Sequence, residues 1–324
     1  MSILPILLFP FGLVLLIKGA DFLIDGASSI GKNLGIPEFV IALTIVAFGT
    51  SLPELVINIL SGLKDSSDIA LSNILGSNSA NILLILGVSA IVFPLEISKS
   101  TVWREIPFGF LAVLVLTVLV GDTFLDNAPI ASLSMGDGLV LLSFFVIFLY
   151  YTAGSVLEVK GLNEQVRIKE QSTYKSLLFC FFGVIFLGLG GQWTVTGAIK
   201  AAQFLKIPQH IIGLTIISIG SSLPELVTSV IAAVKKRPEV AVGNVVGSNI
   251  FNIFFVLGVS ALISPLNLYT GYFRDLLCVM IATVFLFLTA FTGKRNCLDR
   301  WEGVIFLVLF ISYLVYRVGG VLVQ

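Results

Sequence analysis

Charge is what this sequence has least of. Only 12% of its 324 residues are Asp, Glu, Lys or Arg, about half the share found in an average soluble domain. So few polar side chains cannot cover a globule of this size, which excludes a cytosolic enzyme and a disordered chain. The 19 Lys and Arg balance the 19 Asp and Glu, giving a formal net charge of +0. No net field therefore draws in a nucleic acid. Histidine occurs once, at His210, and cysteine three times, at Cys180, Cys278 and Cys297. None shows Cys-x-x-Cys or Cys/His spacing, which argues against a disulfide framework and a zinc site. The stretch from Met1 to Ile17 lacks the basic region of a cleavable signal peptide. It is expected to remain as a first membrane helix.

What is there instead is apolar: 57% of the residues are hydrophobic, 26 of them Phe. A bilayer crossing needs about 20 mostly apolar residues. That length predicts an all-α membrane protein of ten transmembrane helices, at 3–24, 37–63, 68–92, 104–121, 136–155, 174–194, 209–234, 239–263, 272–292 and 301–318. The connection 156–173 is the longest hydrophilic stretch and is too short to be a domain. Thirteen Lys and Arg fall in the set of alternating connections that includes it, against five in the other set. The positive-inside rule then puts 156–173 in the cytoplasm and both termini outside.

The chain also repeats itself. Gly49-Thr50-Ser51-Leu52-Pro53-Glu54 returns as Gly220-Ser221-Ser222-Leu223-Pro224-Glu225, an offset of 171 residues. The same offset carries Gly76-Ser77-Asn78 and Asn81 onto Gly247-Ser248-Asn249 and Asn252, and Ile36-Pro37 onto Ile207-Pro208. Each half, 1–155 and 174–324, holds five spans, an odd number, so the second is expected to enter the membrane upside down. Inverted repeats of this kind build many secondary transporters, with the substrate site at midplane between the halves.

The repeated residues are polar and lie within apolar spans. A carboxylate at the bilayer centre is expensive and marks a functional position by default. Glu54 and Glu225 are two such carboxylates, each preceded by a proline that removes a backbone donor and frees a carbonyl four residues earlier. Broken helices are tolerated at that depth only where they face protein or water. Thr50, Ser51 and Glu54 stand at i, i+1 and i+4, as do Ser221, Ser222 and Glu225. Ser77 and Asn81, and likewise Ser248 and Asn252, are four apart on one helix face. Hydroxyls and amides around two carboxylates make a hard-oxygen environment suited to a cation such as Ca²⁺, without the sulfur or imidazole that softer metals prefer. Taken singly, the hydroxyls are equally well read as glue between helices, and Gly76, Gly87, Gly247 and Gly258 as close-packing positions.

Gly-Thr-Ser-Leu-Pro-Glu and Gly-Ser-Ser-Leu-Pro-Glu, with the two Gly-Ser-Asn-x-x-Asn motifs, resemble the α-repeats of the sodium/calcium exchanger family of calcium/cation antiporters. The motifs cover 36–95 and 207–266, and the layout fits along the whole chain. The resemblance is to the prokaryotic type, since 156–173 has no room for the regulatory calcium-binding domains of animal exchangers. It implies alternating access, with the first and sixth spans sliding across a core of spans 2, 3, 7 and 8. Carried over by motif, Glu54 and Glu225 would be the main ligands of Ca²⁺ and Na⁺. Thr50, Ser51, Ser77, Ser221, Ser222 and Ser248 would complete the sites with the backbone oxygens of Ala47 and Ser218. Asn81 and Asn252 would line the centre. Ser218 and Ser221 replace the Ala and Thr common at those places. Asn252 stands where potassium-dependent members carry Asp, which argues against K⁺ cotransport.

Two ionised glutamates balance one Ca²⁺, whereas three Na⁺ leave one excess charge, so competition for the same carboxylates predicts electrogenic exchange. No resident cofactor, enzyme activity or obligate protein partner is implied; the partners are the two ions and the lipid bilayer. H⁺/Ca²⁺ exchange on the same fold is the nearest rival, because protons need only the carboxylates. A passive channel would lack coupling. An intramembrane protease has only Gly136-Asp137-Gly138 in its favour, with no partner aspartate motif. In the first span Lys18 and Asp21, three apart, could pair with each other, and Asp25 has no assigned role.

Overall fold

The computed structural model describes residues 7–63, 67–121, 132–158, 171–205, 218–269 and 271–322. Nearly all of them are helical. In chain order the helices are α1 (Leu8–Leu34), α2 (Glu38–Thr50), α3 (Leu52–Leu63), α4 (67–92), α5 (Thr101–Leu119), α6 (Met135–Glu158) and α7 (Thr173–Phe204). There follow α8 (Ser218–Gly220), α9 (Leu223–Val234), α10 (Pro238–Ile263), α11 (Tyr272–Thr289) and α12 (Arg300–Leu322). Among the described residues, 6 helices are long and apolar enough to cross a membrane, or 7 if the bent pair α2 and α3 is one span.

Four of the expected spans differ from these helices. Of the one expected at 209–234, residues 209–217 lie outside the described ones and the rest breaks between Gly220 and Leu223. The span expected at 3–24 runs on to Leu34, and the one expected at 174–194 runs on to Phe204. Polar residues do not stop α1, because its later turns find partners: Asp25 pairs with Lys235 at 3.0 Å, and Asn33 donates to the Gln171 carbonyl at 3.0 Å. Its end is set locally by Gly35, whose φ of 68° suits a glycine C-cap. The span expected at 37–63 breaks at Ser51, where α2 and α3 meet at 42°. His210 and most of the connection 156–173 lie outside the described residues.

Two breaks and two softened helices come from the repeated sequence. Pro53 and Pro224 sit at the second position of α3 and α9. The residues just before these helices share one conformation, Ser51 at φ −82°, ψ 1° and Ser222 at φ −87°, ψ 9°. A proline in an early turn costs nothing to its own helix but cannot continue the preceding one. The middles of α4 and α10 widen into π-helix over Ala80–Leu86 and Phe251–Leu257, which correspond at the 171-residue offset.

The halves interlock rather than pack as separate bodies. Strand β1 (Leu95–Glu96) pairs antiparallel with β4 (Cys297–Leu298), and β2 (Ser132–Leu133) with β3 (Leu266–Asn267). Each pair joins one strand from each half. Correspondingly α6 lies against the last turns of α10, and α12 against the last turns of α4. The backbones touch: a Cβ on Gly138 would fall 2.8 Å from the Gly258 carbonyl, and one on Gly303 2.7 Å from that of Gly87. A Cβ on Gly247 would come within 2.4 Å of the Leu43 carbonyl. Gly87, Gly247 and Gly258 therefore do act as close-packing positions.

Helices α1 and α7 run side by side along most of their length. Gly12, Gly19 and Gly26 of α1 and Gly183, Gly190 and Gly197 of α7, each set spaced by seven, form the seam. A polar cluster ties this pair to the rest of the protein. Lys235 reaches both Asp21 and Asp25 at 3.0 Å, and Arg237 lies 3.3 Å from Glu38. Ser28 completes the cluster, donating to Glu38 at 2.7 Å. Asp21 thus finds its charge partner across the fold at Lys235, not at Lys18 one turn away.

Candidate functional site

The helix breaks deliver the two glutamates. Each occupies the first turn of its helix, α3 or α9, where unsatisfied backbone N–H groups favour negative charge. Both side chains are 0% exposed. Around them the side chains that share a face of α4 and α10 close in from the opposite half.

Contacts occur in reciprocal pairs. Thr50 Oγ1 lies 3.3 Å from Ser248 Oγ, and the equivalent pair Ser221 and Ser77 is 3.2 Å apart. Thr50 also donates to Asn244 Oδ1 at 3.1 Å, as Ser221 does to Asn73 Oδ1 at 3.2 Å. The carboxylate contacts are not copies of each other: Ser51 donates to Glu225 Oε1 at 3.3 Å and Ser77 to Glu54 Oε1 at 3.4 Å. The first two contacts thus each recur between the offset copies of their partners. Ser222, the counterpart of Ser51, is buried, but its Oγ has no hydrogen-bond partner among the described residues. The Ala47 carbonyl accepts from Ser51 N at 3.0 Å and lies 3.2 Å from Thr50 Oγ1, whose single proton it shares with Asn244 Oδ1. Ser218 opens the short α8, and its side chain lies outside what is described.

Asn81 and Asn252 are the second residues of the two π-helical stretches, and both are fully buried. Their side-chain Oδ1 atoms lack a hydrogen-bond partner among the described residues, as do Glu54 Oε2 and Glu225 Oε2. Four buried acceptors, in two pairs related by the 171-residue offset, are thus left open. Unmet buried acceptors are costly, and among the described residues no Lys or Arg pairs with either glutamate. The arrangement can therefore coordinate cations through oxygen.

Several members of this network carry no role in the motif reading. Asn73 and Asn244 bridge the site hydroxyls to a second layer: Asn73 donates to Asn58 Oδ1 at 3.1 Å, and Asn244 to Ser229 Oγ at 3.0 Å. The signal was present, since Asn73 is one turn before Ser77 and the 171-residue offset carries it to Asn244. Asp137 instead caps its own helix, accepting from Ser134 N and Oγ at 2.7 Å each in an exposed position.

Residues 4–154 and 175–319 match the family described as sodium/calcium exchanger protein. The chain belongs to the sodium/calcium exchanger family. It is 38% identical to the putative antiporter CaxA of Alkalimonas amylolytica over 93% of this chain and 95% of that one. It is 31% identical to the sodium/calcium exchanger MaX1 of Methanosarcina acetivorans, over 95% and 97% respectively. A solved structure of the sodium-calcium exchanger NCX_Mj, soaked with Na⁺ and Ca²⁺, superposes with a TM-score of 0.81 at 32% identity. That likeness covers 97% of this chain and 99% of the other. Membership of the family makes this protein an ion antiporter of the membrane.

Proposed function

We propose that the protein exchanges Na⁺ for Ca²⁺ by alternating access at one site between two inverted five-helix repeats, ten transmembrane helices in all. Glu54 and Glu225 are the charged ligands. Thr50, Ser51, Ser77, Ser221, Ser222, Ser248, Asn81, Asn252 and the Ala47 and Ser218 carbonyls contribute neutral oxygens. The observation that carries this reading is the set of four open acceptors, Glu54 Oε2, Glu225 Oε2, Asn81 Oδ1 and Asn252 Oδ1, buried without a cationic side chain among the described residues. Two bare carboxylates in low dielectric are strongly unfavourable, so a transported cation supplies the missing charge. Ca²⁺ and Na⁺ then exclude one another by competing for the same oxygens. Helices α1 and α7, joined along their glycine seam, slide across the core as one body. The protein resides in the cell membrane, with 156–173 in the cytoplasm and both termini outside.

Energetics favour three Na⁺ per Ca²⁺. A tenfold Na⁺ gradient supplies about 1.4 kcal/mol per ion, and one net charge across 100 mV adds about 2.3 kcal/mol. Three Na⁺ therefore provide about 6.5 kcal/mol and two only about 2.8. The larger figure sustains a Ca²⁺ gradient on the order of ten-thousandfold.

The test is ⁴⁵Ca²⁺ uptake into proteoliposomes loaded with Na⁺, alongside K⁺-loaded and acid-loaded vesicles. Uptake requiring internal Na⁺, sensitive to membrane voltage and abolished by Glu54→Gln is the expected result. Uptake driven by the proton gradient and indifferent to Na⁺ would overturn the choice of coupling ion.

A further inference from the structure

Four asparagines at the meeting of α4 and α10 are oriented by logic rather than by packing alone. Asn78 Nδ2 donates to the Asn249 backbone carbonyl at 3.2 Å, and Asn249 Nδ2 donates to the Asn78 carbonyl at 3.4 Å. A backbone carbonyl only accepts, so each of these amides must turn its nitrogen toward it. Their Oδ1 atoms are thereby aimed the other way, where they meet Asn252 Nδ2 at 3.0 Å and Asn81 Nδ2 at 2.9 Å. Asn252 and Asn81 must in turn present nitrogen to these acceptors. Their own Oδ1 atoms are left as the open buried acceptors. Asn81 lies one turn beyond Ser77, which bonds Glu54, so it shares the face of α4 that borders the site.

We infer that Asn78 and Asn249 are positioning residues that keep the carbonyl oxygens, and not the amide nitrogens, of Asn252 and Asn81 turned toward the transported ions. This rests on the proposed cation site. Reversing either amide would place an N–H₂ donor where a cation needs an oxygen, and would leave two acceptors facing each other at the lock. Because the lock crosses between the halves, Asn78 governs Asn252 and Asn249 governs Asn81.

That crossing makes the inference testable. A carboxylate has two equivalent oxygens and cannot be misoriented, so Asp at the governed position makes its own lock dispensable. Equilibrium ⁴⁵Ca²⁺ binding to purified protein reads the affinity separately from flux. Asn78→Leu is expected to weaken Ca²⁺ binding by about 10–100-fold, the usual effect of losing a ligand's orienting partner. In the Asn252→Asp background, where Asn78 Oδ1 faces a second acceptor instead of a donor, it should not weaken binding by more than about twofold, the scatter of uncoupled sites. In the Asn81→Asp background the full loss should persist. Asn249→Leu should show the mirror pattern, relieved by Asn81→Asp and not by Asn252→Asp. If a Leu variant does not fold, the Ser variant at the same position, too short to span both partners, takes its place. Unchanged affinity in Asn78→Leu, equal relief by both Asp variants, or relief by neither would overturn the lock and reduce these residues to a helix clamp. A wild type that binds Ca²⁺ but does not exchange it for Na⁺ would overturn the proposed function while the binding cycle still decides the lock. A wild type that binds no Ca²⁺ would overturn both.

Discussion

At the scale of single residues, burial separates the polar groups that matter from those that decorate. Asn244 is fully buried and joins three groups: it accepts from Thr50, donates to Ser229 and reaches the Glu225 carbonyl at 3.4 Å. Asn244→Ala should raise the KM for Ca²⁺ about tenfold by releasing Thr50, as read by initial uptake rates. Arg237→Met removes the cation that lies 3.3 Å from Glu38, which is 5% exposed and also accepts from Ser28. Losing one member of a buried ion pair is destabilising, so its Tm should fall. Lys294 and Glu96 are each 67% exposed in a 2.8 Å pair, and Lys294→Met should leave the Tm unchanged.

Helices show how a local chemical rule becomes a binding feature. Pro53 cannot donate to the Gly49 carbonyl, and the chain answers with the 42° bend at Ser51, which makes Glu54 the third residue of α3. Pro53→Ala restores that donor and lets α2 run on into α3. Transport should be lost with the Tm unchanged or raised, and the two measurements together separate this outcome from simple misfolding. The seam between α1 and α7 follows from equally local constraints. A Cβ on Gly183 would meet Leu23 N at 2.7 Å, so neither backbone can yield without shifting the other. Gly183→Ala should destabilise the protein by about 1–3 kcal/mol, the usual range for overpacking, measured by thermal unfolding in detergent.

The whole molecule is more entangled than two stacked repeats. Because β1 pairs with β4 and β2 with β3, each half completes its neighbour's surface. Residues 1–172 expressed alone would expose the face of α6 that packs on α10, along with unpaired strand edges. That fragment should be degraded or aggregate, and co-expression with 173–324 should restore a complex that elutes as a single species on size exclusion. A stable, monodisperse 1–172 fragment would contradict the interlocked arrangement.

Composition and motif spacing by themselves determined the solvent and the family: too little charge for water, and two carboxylates in apolar spans with hydroxyls at helical spacing from them. These features are local, carried by residues within one or two helical turns. The 171-residue repeat even contained Asn73 and Asn244, which one more step along the same helix face would have named. Only the tertiary structure decided who meets whom. Asp21 pairs with Lys235 rather than Lys18, α1 and α7 continue well past their apolar lengths, and π-helical stretches carry Asn81 and Asn252. The amide lock across the two halves belongs to the same class. Such pairings join residues far apart in the chain. Their geometry is set by backbone approach and by the competition of buried groups for partners, and no local pattern in the sequence records either.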